Sequence, residues 1–259
     1  MFGVGVNLFL IFIGGLFTGS FLNVLVDRIA RDEKFIFGHS YCESCHRFLS
    51  WQDLVPVFSY LFLSGRCRYC RAKIPTWLPI IELSTAGALA LVFWQSWGLV
   101  WWLVFLRLVI AVFLIVIFFA DLKYQLVYEG VIYLALGVSF IYQLVVTNGW
   151  VGLVNPLLSS LVVGLFFYCL YLSTGKKGLG FGDVQIGFLI GLLLGWPRII
   201  VALYLAFLTG ALVGIILMIR KRAKLKTQIP FGPFLVLATF VAWFWGTKLF
   251  SLVIGSLFF

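Results

Sequence analysis

The apolar positions of this chain come in long unbroken runs divided by short polar breaks. A membrane-crossing helix needs about 20 mostly apolar residues, and Val4 to Val26 supplies the first such run without a single charge. It has no basic stretch before it and ends at Asp27-Arg28, which predicts a retained span rather than a cleaved signal peptide. From Asp27 to about Thr76 the pattern turns polar. Beyond it the chain is apolar again, broken only by Gln95-Ser96, Asp121-Leu-Lys-Tyr-Gln125, Thr147-Asn-Gly149, Gly175 to Asp183, Trp196-Pro-Arg198 and Arg220 to Lys226. The runs between these breaks predict seven further spans, about eight in all. The sixth, roughly Val184 to Trp196, is short and predicted to be tilted or half-buried. Barrel strands alternate in polarity and are only about ten residues long, so the runs are helices. The expected fold is an all-α polytopic membrane protein with a small loop domain.

Composition agrees with the pattern. Of 259 residues, 63% are apolar and 11% charged, with a mean hydropathy of +1.11. A soluble domain has about 45–50% apolar and about 25% charged residues, so a water-soluble protein is excluded. The formal net charge of +10 becomes informative once the spans are drawn. If the first loop is cytoplasmic, strict alternation puts sixteen of the nineteen Lys and Arg on that side, leaving Arg107, Arg198 and Lys248 as exceptions. Both termini are then outside, and no nucleic acid is needed to explain the surplus. Arg107 lies roughly 12 Å inside its span and is expected to snorkel outward. The division is a first transmembrane helix over 1–26, a cytoplasmic four-cysteine domain over 27–76 and a seven-helix membrane core over 77–259.

Four of the five cysteines fall in the polar stretch, as Cys42-Glu-Ser-Cys45 and Cys67-Arg-Tyr-Cys70, separated by 21 residues. Each pair fits a tight turn that aims two sulfurs at one point, and two such turns supply the four-thiolate set that zinc prefers. A reducing cytoplasmic compartment disfavours disulfides. The arginines around the sulfurs (Arg47, Arg66, Arg68, Arg71) complement the negative charge of a zinc tetrathiolate. A full set of four leaves no open coordination position, so the metal is structural. His46, beside the second cysteine, is either a replacement ligand or a solvated loop residue. Cys169, alone in an apolar span, reads as a small core residue.

Five of the nine acids, including Asp53, lie in the polar loop, where solvation explains them. Glu82, Asp121, Glu129 and Asp183 lie at or inside spans, where an ionisable group is a functional hypothesis by default. Asp121 closes the third span and Asp183 opens the sixth, so the alternating topology brings both to one membrane edge. Two neighbouring carboxylates cannot both ionise easily, and such a pair can activate water. The alternative for Asp183 is a helix N-cap, and for Asp121 a helix stop at the interface. Gly178, Gly180 and Gly182 beside Asp183 remove side chains where an extended peptide would approach. Glu129 reads as a first-turn acid favoured by the helix dipole.

The ordered motifs resemble the type IV prepilin peptidases, also called prepilin leader peptidase/N-methyltransferases. They are Gly19-Ser-Phe-Leu-Asn-Val24, the paired cysteine loop with Leu61-Phe-Leu-Ser-Gly-Arg-Cys67, Ile74-Pro75, Pro79-Ile-Ile-Glu82, Asp121, Gly180-Phe-Gly-Asp183 and Phe231-Gly-Pro-Phe234. The resemblance implies a Gly-x-Gly-Asp intramembrane aspartyl protease of the bacterial inner membrane, multi-pass, with its catalytic side cytoplasmic. Asp121 and Asp183 match the catalytic aspartates of that family. It implies cleavage of a short basic leader from pilin-like precursors, then methylation of the new N-terminus with S-adenosylmethionine. Glu82 matches an acidic family position and is a candidate for binding that donor or the incoming amine; the alternative is a carboxylate paired with a loop arginine. The chain departs from the family pattern at Ala30, Tyr128 and Gln185, around acids and glycines that are retained.

Other readings remain open on the sequence alone. A membrane thiol redox protein would use the same cysteine pairs, but needs them outside, against the charges around them. A transporter would use the two aspartates as ion ligands, although both lie at one edge instead of mid-depth. A peptidase without methyltransferase activity is the third. Precursor proteins and membrane lipid are the expected partners.

Overall fold

The computed structural model describes residues 2–31, 40–147, 149–175, 179–220 and 230–255. Among them there is no strand. The helices are α1 (Phe2–Ala30), α2 (Phe58–Phe62), α3 (Trp77–Gln95), α4 (Trp101–Tyr124), α5 (Glu129–Val146), α6 (Val154–Ser173), α7 (Phe181–Leu194), α8 (Arg198–Ile219) and α9 (Gly232–Gly255), with a 3₁₀ turn at Trp51–Leu54. Seven of them are long and apolar enough to cross a membrane, and α7, with 14 residues, is the short apolar helix expected as the sixth span. The protein is a multi-pass, all-α membrane protein. Helices suit that solvent because each satisfies its own backbone polar groups, which lipid cannot do.

The chain divides into two compact units, Met1–Val112 and Phe113–Phe259. In the first, α1 lies along α3 on a seam of glycines four residues apart. A Cβ on Gly15 would lie 2.6 Å from Ala86 Cα, and one on Gly19 would lie 2.7 Å from Glu82 Cα. Small residues at this spacing let two membrane helices approach backbone to backbone. Arg107 reaches Ser96 at the end of α3, with Nη1 donating to Oγ at 3.3 Å.

In the second unit α7 is the hub, buried along its length from Val184 to Leu194. The same device recurs: Gly187 faces the Phe167 ring, and a Cβ on Gly191 would lie 2.6 Å from Ser160 Cα. The Ser160 hydroxyl donates to Phe188 O across the seam at 2.7 Å. Fourteen residues rise only about 21 Å, short of the roughly 30 Å hydrocarbon thickness, so the C-terminal carbonyls of α7 need protein partners. Gln143 of α5 supplies them, its Nε2 donating to Leu192 O at 2.9 Å and Leu193 O at 2.6 Å. Asn155 of α6 pairs with the Trp196 backbone in both directions, at 2.8 and 3.1 Å.

Many apolar side chains face outward, Phe9, Leu134, Val162 and Tyr204 among them. Such a surface is too apolar for water and suits a lipid environment. Cys169 belongs to it. The expectation of a core residue is corrected, because it lies on the exposed face of α6.

Candidate functional site

The last turn of α4 carries Asp121 behind the tightly buried Ile117, Phe119 and Ala120. An acid there opposes the helix dipole, which favours cations at a C-terminus, so helix stability does not explain it. Asp121 is 7% exposed, and its Oδ2 is buried without a hydrogen-bond partner. Asp183 sits in the first turn of α7, three residues after the N-cap Gly180, whose N–H its Oδ2 accepts at 3.1 Å; it is therefore not the N-cap itself but supports that cap from inside the helix. The capping oxygen is one of two, and the carboxylate also lies near enough to Asp121 for their charges to interact.

Gly232, the first residue of α9, closes the site. A Cβ there would lie 2.5 Å from Asp121 Oδ2 and 3.1 Å from Ile186 Cδ1, so only glycine leaves the carboxylate in place. Its position is set by Phe231, whose ring packs 5.1 Å from that of Phe207 and 6.2 Å from that of Phe167. The sequence offered a signal for Gly232, a glycine before proline at the head of an apolar run, but no role could be read from it.

The glycines before Asp183 have different surroundings. Gly180 is exposed, and a Cβ there would make ordinary contact with Asp183 Oδ2 at 3.6 Å. The space beside Gly182 is filled by the Val127 side chain, which lets the α4–α5 turn close onto the start of α7. Gly178 lies outside the described residues. Glu129 stands in the first turn of α5, as the dipole favours.

The four cysteines of the polar loop converge. Their sulfurs all lie within 4.8 Å of one another, and Cys42 Sγ is 3.8 Å from Cys70 Sγ. A tetrahedron of zinc–sulfur bonds of about 2.3 Å has an edge of about 3.8 Å, so the set fits the metal. The module is a repeated turn. Cys42 N–H donates to Arg47 O at 3.0 Å and Cys67 N–H to Ala72 O at 2.8 Å; His46 and Arg71, at matching places, take φ of 54° and 61°. The isolated bridges Tyr41–Phe48 and Arg66–Lys73 match as well. The backbone N–H of Cys45 is the main cause lowering the Cys42 thiol to about 7, whereas the Cys70 thiol goes up to about 11, the Ala72 backbone N–H being outweighed by burial and the other three sulfurs, so the cluster shares protons that a metal would displace. His46 is outside the cluster, exposed and stacked on Tyr41 with ring centroids 6.0 Å apart.

Two loop and edge acids differ from expectation. The Asp53 side chain is 3% exposed, not solvated. It accepts Arg68 Nε at 2.7 Å, Ser50 Oγ at 2.8 Å, Ser50 N at 3.1 Å and Tyr69 OH at 3.4 Å, stitching the 3₁₀ turn to the second cysteine turn. Burial opposes its ionisation, but Ser50 and Arg68 outweigh it and hold the carboxyl below its usual range. Glu82 is 6% exposed, and the partner found for it is a backbone amide, not the loop arginine that one of its two sequence readings offered. Its Oε2 accepts the Val57 N–H at 2.7 Å, and the Ser20 hydroxyl is also in reach.

Comparison with known proteins places these sites in a family context. Residues 13–96 match the bacterial peptidase A24 N-terminal domain, and residues 108–215 match the type IV leader peptidase family. A prepilin leader peptidase/N-methyltransferase of Pseudomonas putida is 31% identical, covering 92% of this chain and 90% of its own. Proteins of the same name from Aeromonas salmonicida and Pseudomonas aeruginosa are 29% and 30% identical; the alignments cover 93% and 91% of this chain and 91% and 89% of theirs. No solved structure matches the chain.

Proposed function

The chain belongs to the type IV leader peptidase family, and from that premise we propose that Asp121 and Asp183 are its catalytic pair. It is a prepilin leader peptidase that also methylates the N-terminus it exposes. The observation that carries the pair is Asp121 Oδ2, buried without a partner, with Gly232 stripped of a side chain against it and Asp183 within electrostatic reach. A buried carboxylate oxygen left unpaired costs about 1–3 kcal/mol or more, and a reacting water gives it a partner.

The pair holds one proton between its two carboxyls. The ionised carboxylate takes a proton from the water that attacks the scissile carbonyl, and the protonated one delivers its proton to the leaving nitrogen. The proton belongs to the pair until substrate breaks the symmetry. The Gly180 amide keeps one Asp183 oxygen oriented, and the exposed backbone at Gly180 is the approach for an extended peptide. Gly182 serves that approach indirectly, by admitting Val127 and so setting the turn over α7.

Cys42, Cys45, Cys67 and Cys70 are close enough to hold a metal ion, and we assign it as zinc. Zinc supplies a structural cross-link between the two turns and no open position for chemistry. S-adenosylmethionine does not fit Glu82 directly, since the carboxylate is buried and one oxygen is taken by Val57. We place the protein in the bacterial inner membrane with the aspartates and the cysteine module on the cytoplasmic side, which the distribution of basic residues supports.

The test is cleavage of a pilin-like precursor by Asp121→Asn and Asp183→Asn, with mass spectrometry of the new N-terminus with and without S-adenosylmethionine. Both variants are expected to leave the precursor whole. Full activity in either would refute the pair.

A further inference from the structure

The segment before α2 contains an unusual backbone element. Pro56, Val57 and Phe58 form a γ-turn, closed by Phe58 N–H donating to Pro56 O at 2.6 Å, with Val57 at φ 61° and ψ −48°. That conformation is rare for any L-residue and an outlier for a β-branched one. It persists because it aims the Val57 N–H at Glu82, 2.7 Å away. Glu82 lies five residues past Trp77, the first residue of α3, hence about 7.5 Å along a helix read as crossing the membrane.

This contact fixes the depth of α2. A five-residue helix that starts one residue after Val57 begins beside the second turn of α3, not out in water above it. The exposure of α2 fits that depth. Phe58, Leu61 and Phe62 are 55%, 65% and 85% exposed, and Trp51 on the preceding 3₁₀ turn is 76% exposed. A soluble module does not present a phenylalanine so bare beside two other large apolar residues. Trp77 and Ile80, at the same end of α3, are also turned outward, so apolar exposure runs from α3 to α2. Arg66, Arg71 and Lys73 follow α2 closely and are exposed, the complement of anionic headgroups at the rim of such a patch.

We propose that α2 is an interfacial helix whose Phe58, Leu61 and Phe62 are immersed in the lipid at the depth of the first turns of α3, held there by the Val57–Glu82 hydrogen bond. The cysteine module is therefore seated in the membrane surface and does not hang free on its two connecting helices. Glu82 acts here as a positioning residue, through Val57. The inference rests on the membrane reading of α3 and is independent of the catalytic pair.

The experiment uses the full chain with Cys169→Ser, carrying a nitroxide on Phe62→Cys, in nanodiscs of phosphatidylethanolamine and phosphatidylglycerol. Phe9→Cys on α1 is the lipid reference and Glu43→Cys in the module is the water reference. Collision with oxygen and with a water-soluble nickel chelate is read by electron paramagnetic resonance. The Phe62 label is expected to follow Phe9, with oxygen dominant over nickel. A label that follows Glu43 overturns the proposal, as does one shielded from both agents, which would mean that protein covers the face.

Adding Glu82→Ala is expected to raise nickel access at Phe62 several-fold, while Glu82→Gln, which retains an acceptor oxygen, keeps the lipid signature. Metal content and cysteine reactivity equal to those of the unsubstituted chain separate release of α2 from unfolding of the module. Oxygen dominance retained in Glu82→Ala would overturn the role of the tie.

Discussion

Asp53 and Asp121 are both nearly closed to solvent, at 3% for the side chain of one and 7% for the whole residue of the other, yet they are treated in opposite ways. Asp53 has both oxygens filled by Arg68, Ser50 and Tyr69, and Glu82 is likewise met by the Val57 amide. Asp121 keeps Oδ2 buried and unpartnered against a glycine. A satisfied buried carboxylate stabilises what surrounds it, whereas an unsatisfied one is a standing cost that a fold tolerates where chemistry uses the group. Burial therefore does not distinguish Asp121 from Asp53 and Glu82. The unpaired oxygen of Asp121 does.

The largest effect expected from this contrast is on cleavage. Asp121→Asn should lower the rate on the order of 10³-fold, in the range of a lost general acid or base, while Asp53→Asn should leave precursor cleavage in detergent far less affected. Comparable losses in the two variants would erase the distinction. Gly232→Ala comes next. Its Cβ would stand 2.5 Å from Oδ2 and force the carboxylate to turn, and a displacement of about 1 Å at a reacting group costs about 10²-fold. The loss should fall on kcat, with the protein still folded by thermal denaturation in detergent.

Asp53→Ala should destabilise the cysteine module by about 1–3 kcal/mol, the cost of stranding buried donors, measured as faster metal release to a chelator. Asp53 also predicts a pH dependence. Its carboxyl is held below the ordinary value, so its contribution is complete above the unfolded value of about 3.9 and is lost as pH falls through the lower folded value. The difference in metal release between Asp53→Asn and the unsubstituted chain should therefore be full and pH-independent between about pH 6 and 8, where Asp53 stays ionised and the thiolates still hold the metal. Smallest of all, Glu82→Gln keeps an acceptor for Val57 and should leave cleavage close to normal. A selective loss of methylation in that variant would give Glu82 a role in the second reaction beyond its packing.

How much could be read in advance differs between the two regions for a physical reason. The cysteine module is local. Both turns are contained within Cys42 to Ala72, and the spacing alone points to convergent sulfurs. What it hid was Asp53, because a polar loop suggests solvation, and only the fold of the 3₁₀ turn onto the second cysteine turn closes it off. The aspartate site is assembled from α4, α7 and the head of α9. Charge in an apolar run marked Asp121 and Asp183, but Gly232 became part of the site only when Phe231 locked against Phe167 and Phe207. Gly182 shows the same limit: its glycine is required by Val127, a residue more than fifty positions earlier, across a turn that periodicity does not describe.

The sequence by itself determined the membrane class, the helices, the short sixth span and the cysteines and acids that stand out as candidates, because each follows from the cost of placing polar groups in lipid or from ligand spacing along a few residues. The tertiary structure alone decided which acids are spent on structure. It filled Asp53, tied Glu82 to Val57, anchored the short α7 through Gln143 and Asn155, and left one oxygen of Asp121 open. Those outcomes depend on which backbone amides and side chains arrive from distant segments, and hydrogen bonds at about 3 Å are set by that arrival, not by the order of residues in the chain.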